Sequence, residues 1–96
     1  MILFQITTNI TYMQQADKNN IQKLGIKIKD LRMKKNKSLN KFALQKGFIT
    51  PATLSRIENG LVDLKFSTFL KLAHILDIEP HKLIKDINFD YNFDDE

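Results

Sequence analysis

The segment from Thr50 to Asn59 carries residue types that contact DNA bases. At about 100° per residue, a helix over this segment separates its polar side chains from its apolar ones. One side carries Ala52, Ser55, Arg56 and Asn59, and the opposite side carries Leu54 and Ile57. Arg56 can donate two hydrogen bonds to guanine, and the methyl group of Ala52 or Thr53 can contact thymine. The same pattern also fits a helix surface that simply faces solvent, so spacing alone leaves both interpretations open.

No set of residues has the spacing of a catalytic or metal-binding site. The chain has no cysteine, and its two histidines, His74 and His81, are seven residues apart. Metal sites need clustered ligands, and the sequence contains no phosphate-binding loop, dinucleotide-binding motif or hydrolase motif. The sequence therefore predicts a protein that is not an enzyme and that uses no cofactor and no metal.

Charge is distributed unevenly along the 96 residues, which carry a formal net charge of +4. All 15 Lys and Arg residues lie between Lys18 and Lys85, a span that holds only five acidic residues. Residues 86–96 hold five acidic residues and no basic one. A basic domain of this kind favours a polyanionic partner, and a lysine-rich surface that only faces water is the alternative.

Apolar spacing divides the chain into three segments. Residues 2–12 and 89–93 alternate between apolar and polar side chains, as half-buried strands do, and the polar stretch from Gln14 to Asn20 is expected to be a linker. We predict an N-terminal extension (residues 1–20), a helical domain (residues 21–87) and an acidic tail (residues 88–96). The two ends are expected to be strand-like or disordered. The domain is expected to be a compact, all-α bundle of five helices, because its apolar residues recur three and four apart.

No segment suits a membrane or the secretory route. No apolar run approaches the roughly 20 residues that a membrane-spanning helix needs. The N-terminal region also lacks the basic start and the small-residue cleavage site of a signal peptide. The absence of cysteine fits a reducing compartment, so we predict a cytoplasmic protein without a membrane partner.

The third helix has the clearest boundaries. The hydroxyl of Thr50 can cap it, Pro51 suits its first position, and Gly60 can adopt the left-handed conformation that ends a helix. The inward positions of all five helices define a predicted core, which consists of Ile28, Leu31, Phe42, Ala43, Leu54, Ile57, Phe69, Leu70, Ala73, Leu76 and Leu83.

One charged residue of the third helix lies close to this core. Glu58 falls beside the apolar side of the helix, where a carboxylate needs a partner. Arg32, late in the first helix, is the best candidate for a charge-assisted pair. Two unrelated surface charges are the alternative.

An ordered series of short motifs runs through all five helices. It consists of Leu24-Gly25-x-x-Ile28-x-x-Leu31-Arg32, then Ser38 and Phe42-Ala43, then Thr53-Leu54-Ser55-Arg56-Ile57-Glu58-Asn59-Gly60, then Phe69-x-x-Leu72-Ala73-x-x-Leu76-x-Ile78 and Leu83-Ile84. This series resembles the Cro/phage-repressor-type helix-turn-helix domain, which is also called the lambda-repressor-like or xenobiotic-response-element type. The resemblance covers about two-thirds of the chain.

The resemblance implies sequence-specific binding of double-stranded DNA, usually as a homodimer, with the third helix as the recognition helix. It also implies a salt bridge between Arg32 and Glu58. The implied base contacts fall on Thr50, Pro51, Ala52, Thr53 and Arg56, and the implied phosphate contacts fall on Ser38, Asn59 and Lys65. Ser55, on the outer side of the same helix, completes the predicted set.

The sequence departs from the family pattern at three places. Leu39 occupies a position that is usually polar and helps to bind the DNA backbone, which weakens the expectation of one phosphate contact. Leu64 stands where the family often has proline. The turn before Thr50 is one residue longer than its commonest form.

These features together predict a prokaryotic or phage transcription regulator that is associated with the nucleoid when it is bound to DNA. Repression is favoured over activation, because occupying a promoter needs no further surface. The alternative is an antitoxin that has the same DNA-binding core and binds a toxin through its ends. A protein-interaction module that has lost DNA binding is a third hypothesis.

Overall fold

The computed structural model describes residues 14–35, 38–44, 47 and 49–93. Its helices are α1 (Gln15–Lys34), α2 (Leu39–Leu44), α3 (Pro51–Glu58), α4 (Phe66–Ile75) and α5 (Pro80–Ile84). The prediction of an all-α bundle of five helices is confirmed, and these described ranges contain no strand. None of the described helices is long and apolar enough to cross a bilayer. The strand predicted over residues 2–12 lies outside the described residues.

The core is a single cluster to which every helix contributes. Its buried members are Ile28, Phe42, Ala43, Leu54, Ile57, Leu72, Ala73, Ile75, Leu76 and Leu83. Eight of these were predicted from the sequence. Leu31 and Phe69, which were also predicted, are partly buried and pack against the cluster. α3 lies against both α1 and α2, and α5 lies against α1 and α4.

The predicted inner side of α4 is wrong at one position. Leu70 is 39% exposed, whereas Leu72 and Ile75, which the prediction omitted, are buried. α4 directs Leu72 and Ile75 into the core, and Leu70 lies roughly 160° from Leu72 around the helix axis. Because α4 is rich in apolar residues, its sequence fits more than one inward side, and only the neighbouring helices select between them.

The polar stretch from Gln14 to Asn20 is not a linker. α1 begins at Gln15, with Asp17 in its first turn and Ala16 buried. A carboxylate in the first turn is favoured by the helix dipole, and burial of Ala16 gives this stretch a contact with the body of the protein. The helical domain therefore begins earlier than residue 21.

The C-terminal strap, which we define as residues 86–93, runs back along α1. Three contacts join them at intervals of four residues on α1 and two residues on the strap: Lys27 with Asp86 (3.9 Å), the Lys23 ammonium with the Asn88 carbonyl (2.6 Å), and the Asn19 amide with the Asp90 carboxylate (3.0 Å). Four residues make about one turn of a helix, so one side of α1 faces the strap from Asn19 to Lys27. Residues 89–93 form no strand, so the strand-like alternative predicted for this end is wrong: Asp90, one of its polar positions, bonds to Asn19 and Asn20 of α1 instead.

Asp90 holds the strap in place with its main chain as well as its side chain. Its backbone N–H donates to Asn20 Oδ1 at 2.6 Å, and the Asn20 amide donates back to its carbonyl at 2.8 Å. The carboxylate accepts hydrogen bonds from the Asn92 backbone N–H and from the Asn19 amide. These bonds lower the pKa of Asp90, because they favour its charged form. The strap is thus tied to α1 by a carboxylate that stays ionised at neutral pH.

The other side of the strap is aromatic. Phe89 lines an open hollow of about 310 Å³ with residues of α1 and α4, among them Leu24, Phe66 and Phe69. Tyr91 is 75% exposed and meets Phe93 edge to face, with ring centroids 6.2 Å apart. The tail therefore bonds to α1 through Asp90 and packs Phe89 beside Leu24 of the same helix, whereas Tyr91 is exposed.

The ends of α3 follow from local sequence, as predicted. The Thr50 hydroxyl accepts a hydrogen bond from the Thr53 backbone N–H at 3.1 Å, and Pro51 is the first helical residue. At the other end Gly60 has φ +69°, and the N–H groups of Gly60 and Leu61 donate to the carbonyls of Ile57 and Arg56. This pair of bonds is a Schellman motif, which glycine permits at low conformational cost.

The burial of α3 makes a first testable prediction. Leu54 has no exposed surface, so Leu54→Ala leaves a cavity and should lower the free energy of unfolding by about 2–5 kcal/mol. Leu61→Ala is the matched control, because Leu61 is 55% exposed and its truncation should change stability by about 0.5 kcal/mol or less. Urea denaturation of both variants measures the difference. Equal midpoints for Leu54→Ala and the parent protein would contradict the assigned core.

Candidate nucleic-acid interface

α3 is fixed to α1 by a buried ion pair. Arg32 Nε donates to Glu58 Oε2 at 2.7 Å, and Arg32 Nη2 donates to Glu58 Oε1 at 2.9 Å. Arg32 is 7% exposed and Glu58 is 5% exposed. This two-bond geometry fixes the direction of both side chains. The hydrogen bond to Glu58 raises the pKa of Arg32, so the guanidinium remains charged and the pair that the sequence predicted is present.

A close backbone approach reinforces this junction. Gly25 lies on α1 where it meets the last residues of α3. A Cβ atom built at Gly25 would come 2.8 Å from the Glu58 carbonyl oxygen and still nearer to the Ile57 carbonyl oxygen. Only glycine fits without displacing one helix. The end of α3 that carries Glu58 is thus held against α1 in two ways: by the close backbone approach at Gly25 and by the ion pair.

The opposite side of α3 is open to solvent. Ala52, Arg56 and Asn59 are exposed, and Ser55 is half-buried. Asn59 Nδ2 donates to Ser55 Oγ at 3.4 Å. Within the described part of the chain, the Arg56 guanidinium takes part in no salt bridge. The structure therefore separates a buried, fixed side of α3 from an outer side with one long cation, as the spacing predicted.

The start of α3 carries two threonines that bond to each other. Thr50 is exposed, Thr53 is half-buried, and the Thr50 hydroxyl donates to Thr53 Oγ1 at 2.9 Å. Pro51 between them is half-buried. The hydroxyl of Thr50 therefore serves both as the helix cap and as the donor to Thr53.

The two predicted phosphate-binding residues outside α3 stand at the starts of neighbouring helices. Ser38 precedes α2, is exposed, and accepts a hydrogen bond from the Lys41 N–H at 3.2 Å. Lys65 precedes α4 and is also exposed. Leu39, the unusual residue beside Ser38, packs against the core, so its apolar side chain contributes to folding.

Three residues that the sequence analysis missed adjoin the start of α3. Leu44, Ile49 and Thr68 line an open hollow of about 370 Å³ together with Gly47, Thr50, Pro51 and Thr53. Leu44 is 65% exposed although it follows two buried residues of α2. Its position in a short helix with a buried Phe42-Ala43 pair gave no sign that it faces solvent. We call this feature the threonine hollow.

The described residues contain no group of three or more His, Cys, Asp or Glu side chains that could hold a metal ion. What they do offer is a short helix, held on one side by α1 and exposed on the other, with hydroxyl, methyl and guanidinium groups. This is the chemistry of contact with base edges and phosphates.

Comparison with protein families agrees with this geometry. A helix-turn-helix family model matches residues 28–83, more than half of the chain. The chain belongs to this helix-turn-helix family, of the Cro/C1 type, and it is a DNA-binding transcription regulator.

A solved structure is similar to most of this chain. It is the restriction-modification controller protein C.AhdI from Aeromonas hydrophila, with a TM-score of 0.65 and 30% sequence identity. The similarity covers 70% of this chain and 96% of that one. A search of curated proteins gives no match.

The buried pair makes a second prediction. Arg32→Met and Glu58→Met should each lower the free energy of unfolding by roughly 3–5 kcal/mol, because each leaves one buried charge without its partner. The double variant should lose clearly less than the sum of the two, and urea denaturation of all four proteins measures this coupling.

The exposed pair Asp30 and Lys34, 3.1 Å apart on the surface of α1, is the matched control. Its double-mutant cycle should give a coupling of about 0.5 kcal/mol or less. Additive effects at Arg32 and Glu58 would mean that the two charges do not support each other.

Proposed function

We propose that this protein represses transcription by binding, as a homodimer, to a DNA operator with two-fold symmetry, with α3 in the major groove. The observation that carries the proposal is the division of α3 into a side fixed to α1 and an exposed side with Ala52 and Arg56. A helix can present base-contacting groups in a constant orientation only if its other side is held.

The dimensions of α3 suit this role. Its eight residues are about 12 Å long, and the major groove of DNA is about 12 Å wide. We assign base contacts to Thr50, Pro51, Ala52, Thr53 and Arg56. We assign phosphate contacts to Ser38, Asn59 and Lys65, and a supporting contact to Ser55. Exposed lysines such as Lys34, Lys35 and Lys41 would add attraction that does not depend on sequence.

Family membership supports regulation of transcription in the cytoplasm, at the nucleoid. A homodimer follows from the operator symmetry that helix-turn-helix proteins match, because two copies of α3 contact half-sites about one helical turn apart. The likeness to a restriction-modification controller protein supports control of gene expression as the role. The antitoxin alternative has no observation in its favour and is not proposed.

Arg56 provides the central test. On an operator selected from random duplexes, Arg56→Ala should weaken binding by about 1–3 kcal/mol and relax the preference at one base pair per half-site. Binding to random duplexes should change little, and the salt dependence of operator binding should keep its slope. Titrations of both duplexes over a salt series measure these quantities.

Lys85→Ala is the control for loss of charge alone, because Lys85 follows α5, which packs on α1 and α4. It should leave base preference unchanged. Equal weakening of both duplexes by Arg56→Ala, with a salt slope smaller by about one unit, would place Arg56 on a phosphate. No weakening of either duplex would contradict the placement of α3 in the groove.

The acidic tail is expected not to contact DNA, because phosphate repels it. Deleting residues 89–96 removes four acidic residues and should keep operator affinity while strengthening binding to random duplexes at low salt. Replacing Tyr91 and Phe93 with serine keeps every charge and should leave both affinities unchanged. A truncated protein that stays folded and loses operator binding would instead identify the tail as part of the dimer contact.

A further inference from the structure

Asn59 and Gly60, at the end of α3, form an asparagine–glycine pair. Of the eight asparagines in the sequence, only Asn59 is followed by glycine. In such a pair the backbone nitrogen of the glycine can attack the side-chain amide carbon of the asparagine, because glycine has no Cβ atom that hinders the approach. Asn59 is also exposed on the outer side of α3. The pair therefore has the residue types and the accessibility that spontaneous deamidation requires.

The reaction needs no enzyme and only water as a co-reactant. The Gly60 nitrogen loses its proton and forms a bond to Asn59 Cγ, while the bond from Cγ to Nδ2 breaks and Nδ2 takes up a proton and leaves as ammonia. Water then adds to one carbonyl carbon of the resulting imide ring and opens it, which gives either aspartate or the β-linked isoaspartate. Each product carries a carboxylate in place of the amide, so the reaction adds one negative charge to the outer side of α3.

The folded end of α3 holds this pair in a geometry that is unsuited to the reaction. Asn59 has ψ 3°, and closing the ring requires a rotation about its Cα–C bond. The Gly60 N–H donates to the Ile57 carbonyl at 3.1 Å, so its proton is held. The Asn59 amide bonds back along the helix to Ser55 Oγ at 3.4 Å. Rotation at Asn59 would break the Gly60 bond and with it the Schellman motif, so the cap must open before the ring can close.

We propose that Asn59 is a deamidation site that the C-terminal cap of α3 keeps closed, and that its conversion ends binding to the operator. Helix ends open locally while the rest of a protein stays folded. The rate of conversion therefore follows the fraction of molecules whose cap is open. DNA that contacts Asn59 holds the cap closed, so bound protein is protected and unbound protein is converted. The effect on binding rests on the proposed function, whereas the chemistry does not.

Mass spectrometry of peptides from the full chain measures the chemistry. The protein is kept at mildly alkaline pH in three states: folded, unfolded in urea, and folded with the selected operator. Conversion of Asn59 should be about tenfold to a hundredfold slower in the folded protein than in urea, and slower again with the operator. Asn40, which is exposed and precedes Lys41, is the internal control and should convert more slowly than Asn59 in urea. Equal rates in the folded and unfolded protein would overturn the protective role of the cap.

Two variants connect the chemistry to binding. Asn59→Asp reproduces one product and should weaken operator binding about tenfold or more, because its carboxylate then faces a phosphate. Asn92→Asp adds the same charge to the C-terminal strap, which the proposed function keeps off the DNA, and should leave operator affinity almost unchanged. Thermal unfolding checks that both variants are folded. An Asn59→Asp variant that binds the operator as tightly as the parent protein would overturn the effect on binding.

Storage of the unbound protein completes the test. Its operator-binding fraction should fall in step with conversion of Asn59. Asn59→Gln, compared with its own starting value, should keep its binding fraction, because the longer side chain closes a ring more slowly. Conversion without loss of binding, or no conversion in the folded, unbound protein, would overturn the inference and leave the proposed function intact. Failure to select any preferred duplex would overturn the proposed function and the effect on binding, and the mass measurement would still decide whether the cap protects Asn59.

Discussion

The ion pair between Arg32 and Glu58 fixes α3 against α1, and the direction of the exposed side of α3 depends on it. Its partners are 26 residues apart in sequence and nearly inaccessible to water, so neither charge is tolerated without the other. A buried pair of this kind contributes less to stability than to choosing one arrangement, because any shift of α3 along α1 would separate the charges. Gly25 restricts the same motion sterically. The exposed side of α3 therefore has a defined direction.

Local chemistry explains why α3 was predictable. Its start depends on a hydroxyl and a proline, its end on one glycine, and all three act within four residues of the boundary that they set. The partner of Glu58 was predictable for another reason. A carboxylate beside the apolar side of a helix needs a cationic partner, and Arg32 was the best candidate. The order of motifs along the chain then indicated the family, and with it the fold.

The errors arose where contacts are distant in sequence. The start of α1 has polar residues typical of a loop, and what pairs with them is Asp90, about 70 residues away. The tail has the alternation of a strand, yet Asp90 bonds to a helix. Leu70 and Leu72 differ in burial because of the helices that surround α4, and the threonine hollow exists only once α2, α3 and α4 have met. The spacing and the types of residues along the chain do not predict these contacts between distant segments.

The strap has a consequence for synthesis on the ribosome. The contacts that complete the first half of α1 come from residues 88 and 90, which are translated about 70 residues after their partners on α1. The family-matched segment, residues 28–83, is translated before them and includes both members of the buried ion pair. A nascent chain can therefore assemble α3 against α1 first and fasten the N-terminal turns of α1 only after residues 88 and 90 have left the exit tunnel.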